Sequence, residues 1–409
     1  RELDLVLAKY DVLGSIAHAK MLHKINLLTA EETANLVLEL ETILEEIEKG
    51  NFTIEDSFED VHSKVEYLLT EKLGDTGKKI HTARSRNDQV LTDVHLFLKA
   101  ELSEIKLQTK ELFTELITLS KKHQNVLIPG YTHFQVAMPS SFGMWFSAYA
   151  EILIDDVTQL NAALQIVDQN PLGSAAGYGS SFPIDRTFTT ELLGFKTLKY
   201  NSVAAQMSRG KSEKATAFAM ASLASTLSKF SMDICLYLSQ NFNFISLPSH
   251  LTTGSSIMPH KKNPDVFELI RAKCNKIQAL PYELTLLTNN LPSGYHRDFQ
   301  LLKESLFPAI QSLKSCLEIF HFAIKDISVN ENILKDSKYD YLFTVDSLNE
   351  LVTAGTPFRD AYKIVAEQIE NKTFQSPKAT THTHEGSINN LCLNEIKAKP
   401  GAKEFIKFL

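Results

Sequence analysis

The sequence predicts an all-α protein built around an elongated bundle of long helices. Glycine and proline number 16 and 13 of 409 residues, below the usual ~7% and ~5%. Turn-rich β structure needs more of both. Long stretches also carry apolar side chains at three- and four-residue spacing, which marks helices with one buried face. These stretches far exceed the average helix of ~11–12 residues.

The elements follow in order. Thr29-x-x-Glu32 is a capping box, in which each side chain satisfies a free N–H of the other at a helix start. Leu36, Val37, Leu40, Ile43, Leu44 and Ile47 then recur at helical spacing, and Gly50 closes that helix. Residues 51–84 are more broken, with Gly74 and Gly77. Residues 1–84 are therefore expected to form a small helical N-terminal domain. The chain begins at Arg1 and its first residues already read as helix, so the native N-terminus is expected to lie upstream. From Asn87 to Asn125 there is neither glycine nor proline. A helix of ~35 residues would reach roughly 50 Å. Further long stretches run from Pro139 to Asn170, from Gln206 to Phe244 and from Pro264 towards Leu291, and a fifth follows Pro308. Residues 85–330 form the predicted central bundle, whose remaining apolar faces partner chains would cover. Shorter pieces, Asp340 to Thr353 and the helix opened by Thr356-Pro357-Phe358, place a small helical C-terminal domain at 331–409.

Composition narrows the function. A formal net charge of -7 argues against a general nucleic-acid or acidic-membrane binder, yet leaves room for a local basic pocket. No apolar run reaches the ~18 residues of a membrane span. Cys235, Cys274, Cys316 and Cys392 are scattered without a C-x-x-C pair, and read as reduced thiols of a cytoplasmic protein. Pro171 to Ser181 is a small-residue loop without a Walker or dinucleotide pattern, so it reads as close backbone packing. His382-Thr383-His384-Glu385 lacks a recognised ligand framework, so no metal is expected.

Four segments carry chemistry. Gly254 to Asn263, read as G-S-S-I-M-P-H-K-K-N, packs serines, an imidazole and two ammonium groups just before a helix. Asn263 suits the N-cap, Pro264 the first helical position and Asp265 the first turn. A helix N-terminus behind two lysines favours an anion. A solvated loop with a lysine pair is the plain alternative. Thr82-Ala83-Arg84-Ser85-Arg86-Asn87-Asp88-Gln89 offers arginines and amides at another helix start. These suit carboxylates, or else make an ordinary cap with solvated arginines. Gly130-Tyr131-Thr132-His133-Phe134-Gln135 is expected as a short loop between two long helices. His133 there is either an oriented acid/base group or a structural histidine. Gly294 to Glu304 contains Tyr295, Gln300 and Lys303, a hydroxyl, an amide and an ammonium for one polar ligand, or simply an exposed helix start.

In this order the four segments resemble those of the argininosuccinate lyase family, within the fumarase/aspartase superfamily. Pro171 to Arg186, ending F-P-I-D-R, fits the same pattern, and the resemblance covers nearly the whole chain. Ala83 stands where the family has glycine, Val136 and Met138 replace polar residues, and His260 stands where glutamine is common. Gly294 and His296 also flank Tyr295 unusually. The resemblance implies cleavage of argininosuccinate to arginine and fumarate by β-elimination, the last step of arginine biosynthesis. It implies Ser255 as base, Lys261 as its electrostatic support, His133 as acid and Glu268 as the partner that orients His133. It implies Asn87, Thr132, Asn263, Tyr295, Gln300 and Lys303 as substrate contacts, with Ser85 and Arg86 near the carboxylates. It implies a homotetramer with sites shared between subunits, and no metal, nucleotide or redox cofactor. Adenylosuccinate lyase and a catalytically inactive, crystallin-like structural protein are the alternatives within reach of the same fold.

Overall fold

The computed structural model describes residues 2–404. Helices dominate it, as expected. In chain order they begin with α1 (Glu2–Leu5), α2 (Ala8–Lys24), α3 (Ala30–Glu48), α4 (Val61–Leu73), α5 (Asp75–Lys78) and α6 (Arg86–Lys122). The hairpin β1 (Leu127–Thr132) and β2 (Gln135–Ser141) precedes α7 (Phe142–Val167) and β3 (Gln169–Asn170). Then come α8 (Arg186–Leu192), β4 (Thr197–Leu198), α9 (Ser202–Met207), α10 (Lys211–Leu238) and β5 (Ile245–Ser246). The rest is α11 (Asp265–Ile277), α12 (Leu280–Leu287), α13 (Leu302–Ile324), β6 (Ser328–Val329), α14 (Thr344–Thr353), α15 (Phe358–Glu370), α16 (Leu393–Ala398) and α17 (Pro400–Glu404).

The local signals act as chemistry requires. Thr29 Oγ1 accepts the Glu32 N–H at 3.1 Å, and Glu32 Oε2 accepts the Thr29 N–H at 2.9 Å, so the capping box of α3 forms. Gly50 ends it with φ 76°, its N–H on Ile47 O at 3.0 Å.

Four expectations need correction. The segment before α7 is an antiparallel hairpin, not a loop, because Leu127–Thr132 and Gln135–Ser141 pair around a two-residue turn, with a register shift between Pro129 and Tyr131. The stretch from Gln206 to Phe244 breaks at Ser208-Arg209-Gly210, where Gly210 takes φ 81° and leaves the helical ladder. The stretch after Pro264 breaks between Ile277 and Leu280, since Pro281 has no N–H to continue the ladder. The fifth long helix starts at Leu302 and carries Pro308 inside it, at the cost of one hydrogen bond.

By contacts the chain divides into two compact units, and the cuts fall inside the long helices. One holds Arg1–Ile105, Gln159–Ser222 and Lys276–Leu313. Its core includes Val12 and Leu22 of α2, Leu36, Leu40 and Ile43 of α3, and Val65 and Leu69 of α4, all buried. Phe97 of α6 meets Phe307 of α13 with ring centroids 4.4 Å apart. Rings of this size dominate core energetics, since each removes ~150–250 Å² from water. The other unit holds Lys106–Thr158, Leu223–Asn275 and Lys314–Leu409. Its core is aromatic: Tyr149 and Phe230 stack at 3.8 Å with 7° between planes. Trp145 Nε1 and the Tyr149 hydroxyl both donate to Asp233 Oδ2, at 3.1 and 2.7 Å. That satisfies the polar edges these rings bring inside.

Candidate active site

The start of α6 organises the first group of candidate residues. Ser85 caps the helix: its Oγ accepts the Asn87 N–H at 3.2 Å, and its own N–H donates to Asp88 Oδ1 at 2.9 Å. The other Asp88 oxygen accepts the N–H groups of Gly173 and Ala175, at 2.9 and 3.0 Å. Asp88 therefore clamps the small-residue loop onto the helix start. Arg186 closes the same loop from behind, with Nε on Leu172 O at 2.8 Å and Nη2 on Lys199 O at 2.8 Å. Gly173, at φ 89°, packs so closely that a Cβ there would lie 2.7 Å from Arg186 Cγ. The close-packing reading of Pro171 to Ser181 thus has a specific cause.

Arg84 does not face a ligand. It is buried and donates to Ser15 Oγ at 2.9 Å. Ala83 before it has φ 61°, in the left-handed region. That conformation costs a non-glycine residue about 1–2 kcal/mol, which is the physical reason glycine suits the position. Ala83→Gly is expected to raise stability by about 0.5–1 kcal/mol once the looser unfolded chain is counted. An upward shift in the thermal unfolding midpoint checks this.

A cavity of about 310 Å³ opens beside α6. Arg86, Asn87, Tyr295, Gln300 and Lys303 line it, so five predicted substrate contacts come together. Their partners are specific. The Arg86 guanidinium bonds Glu59 at 3.1 Å, Asp60 at 3.3 Å and Ser63 Oγ at 3.0 Å. Lys303 is paired with Asp4, and Gln300 Nε2 donates to the Tyr295 hydroxyl at 3.3 Å. The cavity is thus lined by charges of both signs. Asp4 and His62 also line it, and neither was singled out from sequence. Asp4 lies in a four-residue helix, and Glu59-Asp60-Val61-His62 reads as an ordinary acidic helix start.

Behind His62 lies a buried acidic pair. His62 Nδ1 is 2.8 Å from Asp11 Oδ1 and 3.8 Å from Asp93 Oδ2. Gln89 Nε2 donates to the same Asp11 oxygen at 2.6 Å. Burial, and then the Asp11 charge, push Asp93 well above the carboxylate range. Burial also opposes ionisation of Asp11, but His62, Arg84 and Gln89 bring it below its ordinary value. Asp11, His62 and Asp93 are the one group among the described residues whose ligand atoms fall within 4.8 Å of one another. Arg84, Lys303 and Arg209 already supply positive charge to Asp93. His62 and Gln89 bond to Asp11 Oδ1, while Asp11 Oδ2 and both Asp93 oxygens are left without a hydrogen-bond partner. His382 and His384 face separate partners, Asp346 Oδ1 at 2.8 Å and the Glu385 carbonyl at 3.0 Å.

The second group of candidates lies in the other unit. Thr132 pairs with Gln135 across the hairpin, so His133 and Phe134 form its two-residue turn. Their φ values are 52° and 59°, the left-handed pair of a type I′ turn. Neither is a glycine, and Phe134 is 82% exposed. The hairpin spends backbone strain to hold an exposed imidazole at its tip.

Thr253 and Asn263 pair through their backbones, at 2.8 and 3.2 Å, and close the neck of the Gly254–Lys262 loop. This corrects the expected cap of α11. The Pro264 carbonyl accepts the Glu268 N–H at 3.2 Å, so Pro264 holds the cap position. Asn263 lies one residue earlier, its side-chain amide donating to Thr253 Oγ1 at 3.4 Å. Inside the loop, Ser255 Oγ accepts two backbone N–H groups, from Ile257 at 3.3 Å and Met258 at 3.1 Å. A second cavity, of about 510 Å³, lies against this loop and is lined by His260, Lys261 and Asn263 with Ser239 and Asn241. The Lys261 ammonium and the Glu268 carboxylate have no hydrogen-bond or ion-pair partner among the described residues. The alternative of a Glu268–Arg271 ion pair does not form; Arg271 Nη1 lies 3.0 Å from Met232 Sδ instead. Within one chain, His133 and Glu268 do not bond to each other.

Residues 2–279 match a family model described as lyase. The argininosuccinate lyase of Bacteroides fragilis is 58% identical over 398 residues, covering 97% of this chain and 89% of that protein. The chain belongs to the argininosuccinate lyase family. The namesake enzyme of Xylella fastidiosa matches this family member at 39% over 393 residues, 95% of this chain and 88% of that one. Solved structures share the family fold. An EDDS lyase variant with bound fumarate superposes with a TM-score of 0.81 at 21% identity, covering 99% of this chain and 86% of that one. A class II fumarase from Schistosoma mansoni gives 0.77 at 17%, covering 98% and 89%. No helix among the described residues is long and apolar enough to cross a membrane.

Proposed function

We propose that the protein cleaves argininosuccinate to arginine and fumarate. The observation that carries this reading is the relationship to enzymes of that name over 97% of the chain at 58% identity. The chemistry it demands is a β-elimination. A base removes a proton from the carbon beside a carboxylate, the electron pair forms the fumarate double bond, and the C–N bond breaks as the guanidino nitrogen gains a proton.

Ser255 is the base. A serine hydroxyl is a poor base until ionised, and the two N–H groups aimed at its oxygen stabilise an alkoxide as an oxyanion hole does. Lys261 adds positive charge from the same loop. His133 delivers the proton to the departing nitrogen, and Glu268 orients it. Asn87, Thr132, Asn263, Tyr295, Gln300 and Lys303 hold the substrate, with Ser85 and Arg86 near its carboxylates. The reaction needs no cofactor, and we place the enzyme in the cytoplasm.

The working assembly is a homotetramer whose sites take segments from several chains. An exposed hairpin tip, the Lys261 ammonium and the Glu268 carboxylate, the last two without an ion-pair partner among the described residues, are groups waiting for a complement. Large apolar side chains left at the surface of helices support it: Phe218 of α10 and Phe322 of α13 are each 57% exposed, and Tyr282 of the shorter α12 is 71% exposed. One experiment tests the reading. The purified protein should release fumarate from argininosuccinate and not from adenylosuccinate, and should sediment as four chains. Fumarate from adenylosuccinate alone would move the assignment to that lyase, no fumarate from either would favour a structural protein, and an active monomer would overturn the shared site.

A further inference from the structure

The cysteines are scattered in the sequence, but the fold brings two of them together. Cys274 lies on α11 and Cys316 on α13, and both are buried. Aromatic residues pin the two helices to each other. Phe267 of α11 and Phe320 of α13, both fully buried, meet edge to face with ring centroids 5.3 Å apart. Further along α11, and an antiparallel step back along α13, the thiols of Cys274 and Cys316 are hydrogen-bonded to each other. None of the four cysteines is in a disulfide. The other two have different surroundings. Cys235 lines the cavity against the Gly254–Lys262 loop, and Cys392 Sγ donates to Asn390 Oδ1 at 3.5 Å. A buried cysteine can pack as a small apolar side chain and needs no second thiol for that. A facing pair offers chemistry that a single thiol does not.

The hydrogen bond sets the two sulfurs apart. The proton that Cys274 donates, with the positive charge of Lys273, holds Cys316 below the ordinary thiol value. The same bond, and then burial, push Cys274 up. The thiolate is the nucleophile, so Cys316 attacks and Cys274 resolves. We infer that Cys274 and Cys316 form a modification site for a small peroxide, and that it closes to a disulfide tying α11 to α13. The Cys316 thiolate attacks one peroxide oxygen, the O–O bond breaks, and Cys316 becomes a sulfenic acid as hydroxide leaves. The Cys274 sulfur then attacks the Cys316 sulfur, the S–O bond breaks, and the hydroxyl departs with the Cys274 proton as water. Two thiols are oxidised, and one peroxide is reduced to two waters once the hydroxide takes up the proton that Cys316 gave away. The sulfurs, already in contact, close to about 2.05 Å. Burial selects the oxidant. Thiol–disulfide exchange needs access for a whole second molecule at the attacked sulfur, which this packing denies. A peroxide is little larger than water and enters through local opening. The site is independent of the elimination chemistry and stands whatever the substrate.

Peptide mapping tests this on the assembled protein. After treatment with hydrogen peroxide, quenching, alkylation and digestion without reductant, a peptide linking Cys274 to Cys316 is expected, and dithiothreitol should release it. Oxidised glutathione over the same time should give no such link. The oxidised protein should unfold a few degrees above the reduced one, because the link closes a long loop of the unfolded chain. Two variants read the order of attack. In Cys274→Ala, Cys316 has no resolving partner and should stop at the sulfenic acid, which dimedone traps. In Cys316→Ala, Cys274 should take up at least about tenfold less dimedone. A peroxide-treated wild type without the link overturns the inference, as does a link that forms only after denaturation or equally fast with glutathione. Equal trapping at the two sulfurs overturns the assigned order. The wild-type map decides the pairing by itself, so a variant that fails to fold does not shelter the inference.

Discussion

Ser255→Ala is expected to lower kcat at least about 1000-fold, with helicity and assembly unchanged. The loss is large because the substitution removes the atom that takes the proton, and no neighbour can replace it. Ser256 is the nearest hydroxyl in sequence, but the two N–H groups of Ile257 and Met258 converge on Ser255 Oγ. A hydroxide or water standing in that place would lack the tether. The fold survives because the loop is exposed. Ile257 is 82% exposed, so water satisfies the two freed N–H groups at little cost. The neck bonds between Thr253 and Asn263 use backbone atoms and do not change. Fumarate release, read with circular dichroism and sedimentation on the same sample, checks the result. Rates near wild type would return Ser255 to the status of a loop hydroxyl that merely turns the chain.

The all-α fold was legible because it depends on short-range signals. Thr29 and Glu32 lie three residues apart and build the same capping box in sequence and in space. The breaks in the long helices were harder to see. Gly210 and Pro281 interrupt stretches whose apolar periodicity continues on both sides, and periodicity alone outweighs a single residue in a long window. The hairpin at Leu127–Ser141 was hidden for a different reason. Its turn residues are His133 and Phe134, not the Asn-Gly pair that announces a type I′ turn. The local rule is broken at a candidate catalytic residue, where function can outweigh propensity. At the site, motifs identified Arg86, Asn87, Tyr295, Gln300 and Lys303, and the fold gathers them. Asp4 and His62 were invisible because they join that cavity through contacts spanning tens to hundreds of residues. Arg84 was misread for the same reason: Ser15, its partner, lies 69 residues away.

His133→Asn is expected to lower kcat about 100- to 10,000-fold with KM nearly unchanged, the range that a positioned acid supplies. This substitution is the informative one because of the turn. At φ 52° histidine is strained, whereas asparagine is among the residues that accept the left-handed region most readily. The variant hairpin should therefore be as stable as the original or more so, and its unfolding midpoint should not fall. Loss of rate then belongs to the imidazole and not to a collapsed hairpin. The pairing of Thr132 with Gln135 is made by the backbone and persists. A shared site adds a second consequence. Neither His133→Asn nor Ser255→Ala forms a working site alone. If the two residues of one site come from different chains, equal amounts dissociated and reassembled together should regain about a quarter of wild-type activity, since about one site in four then draws both residues intact. If both come from one chain, no mixed assembly contains a complete site, and activity stays at the level of the separate variants.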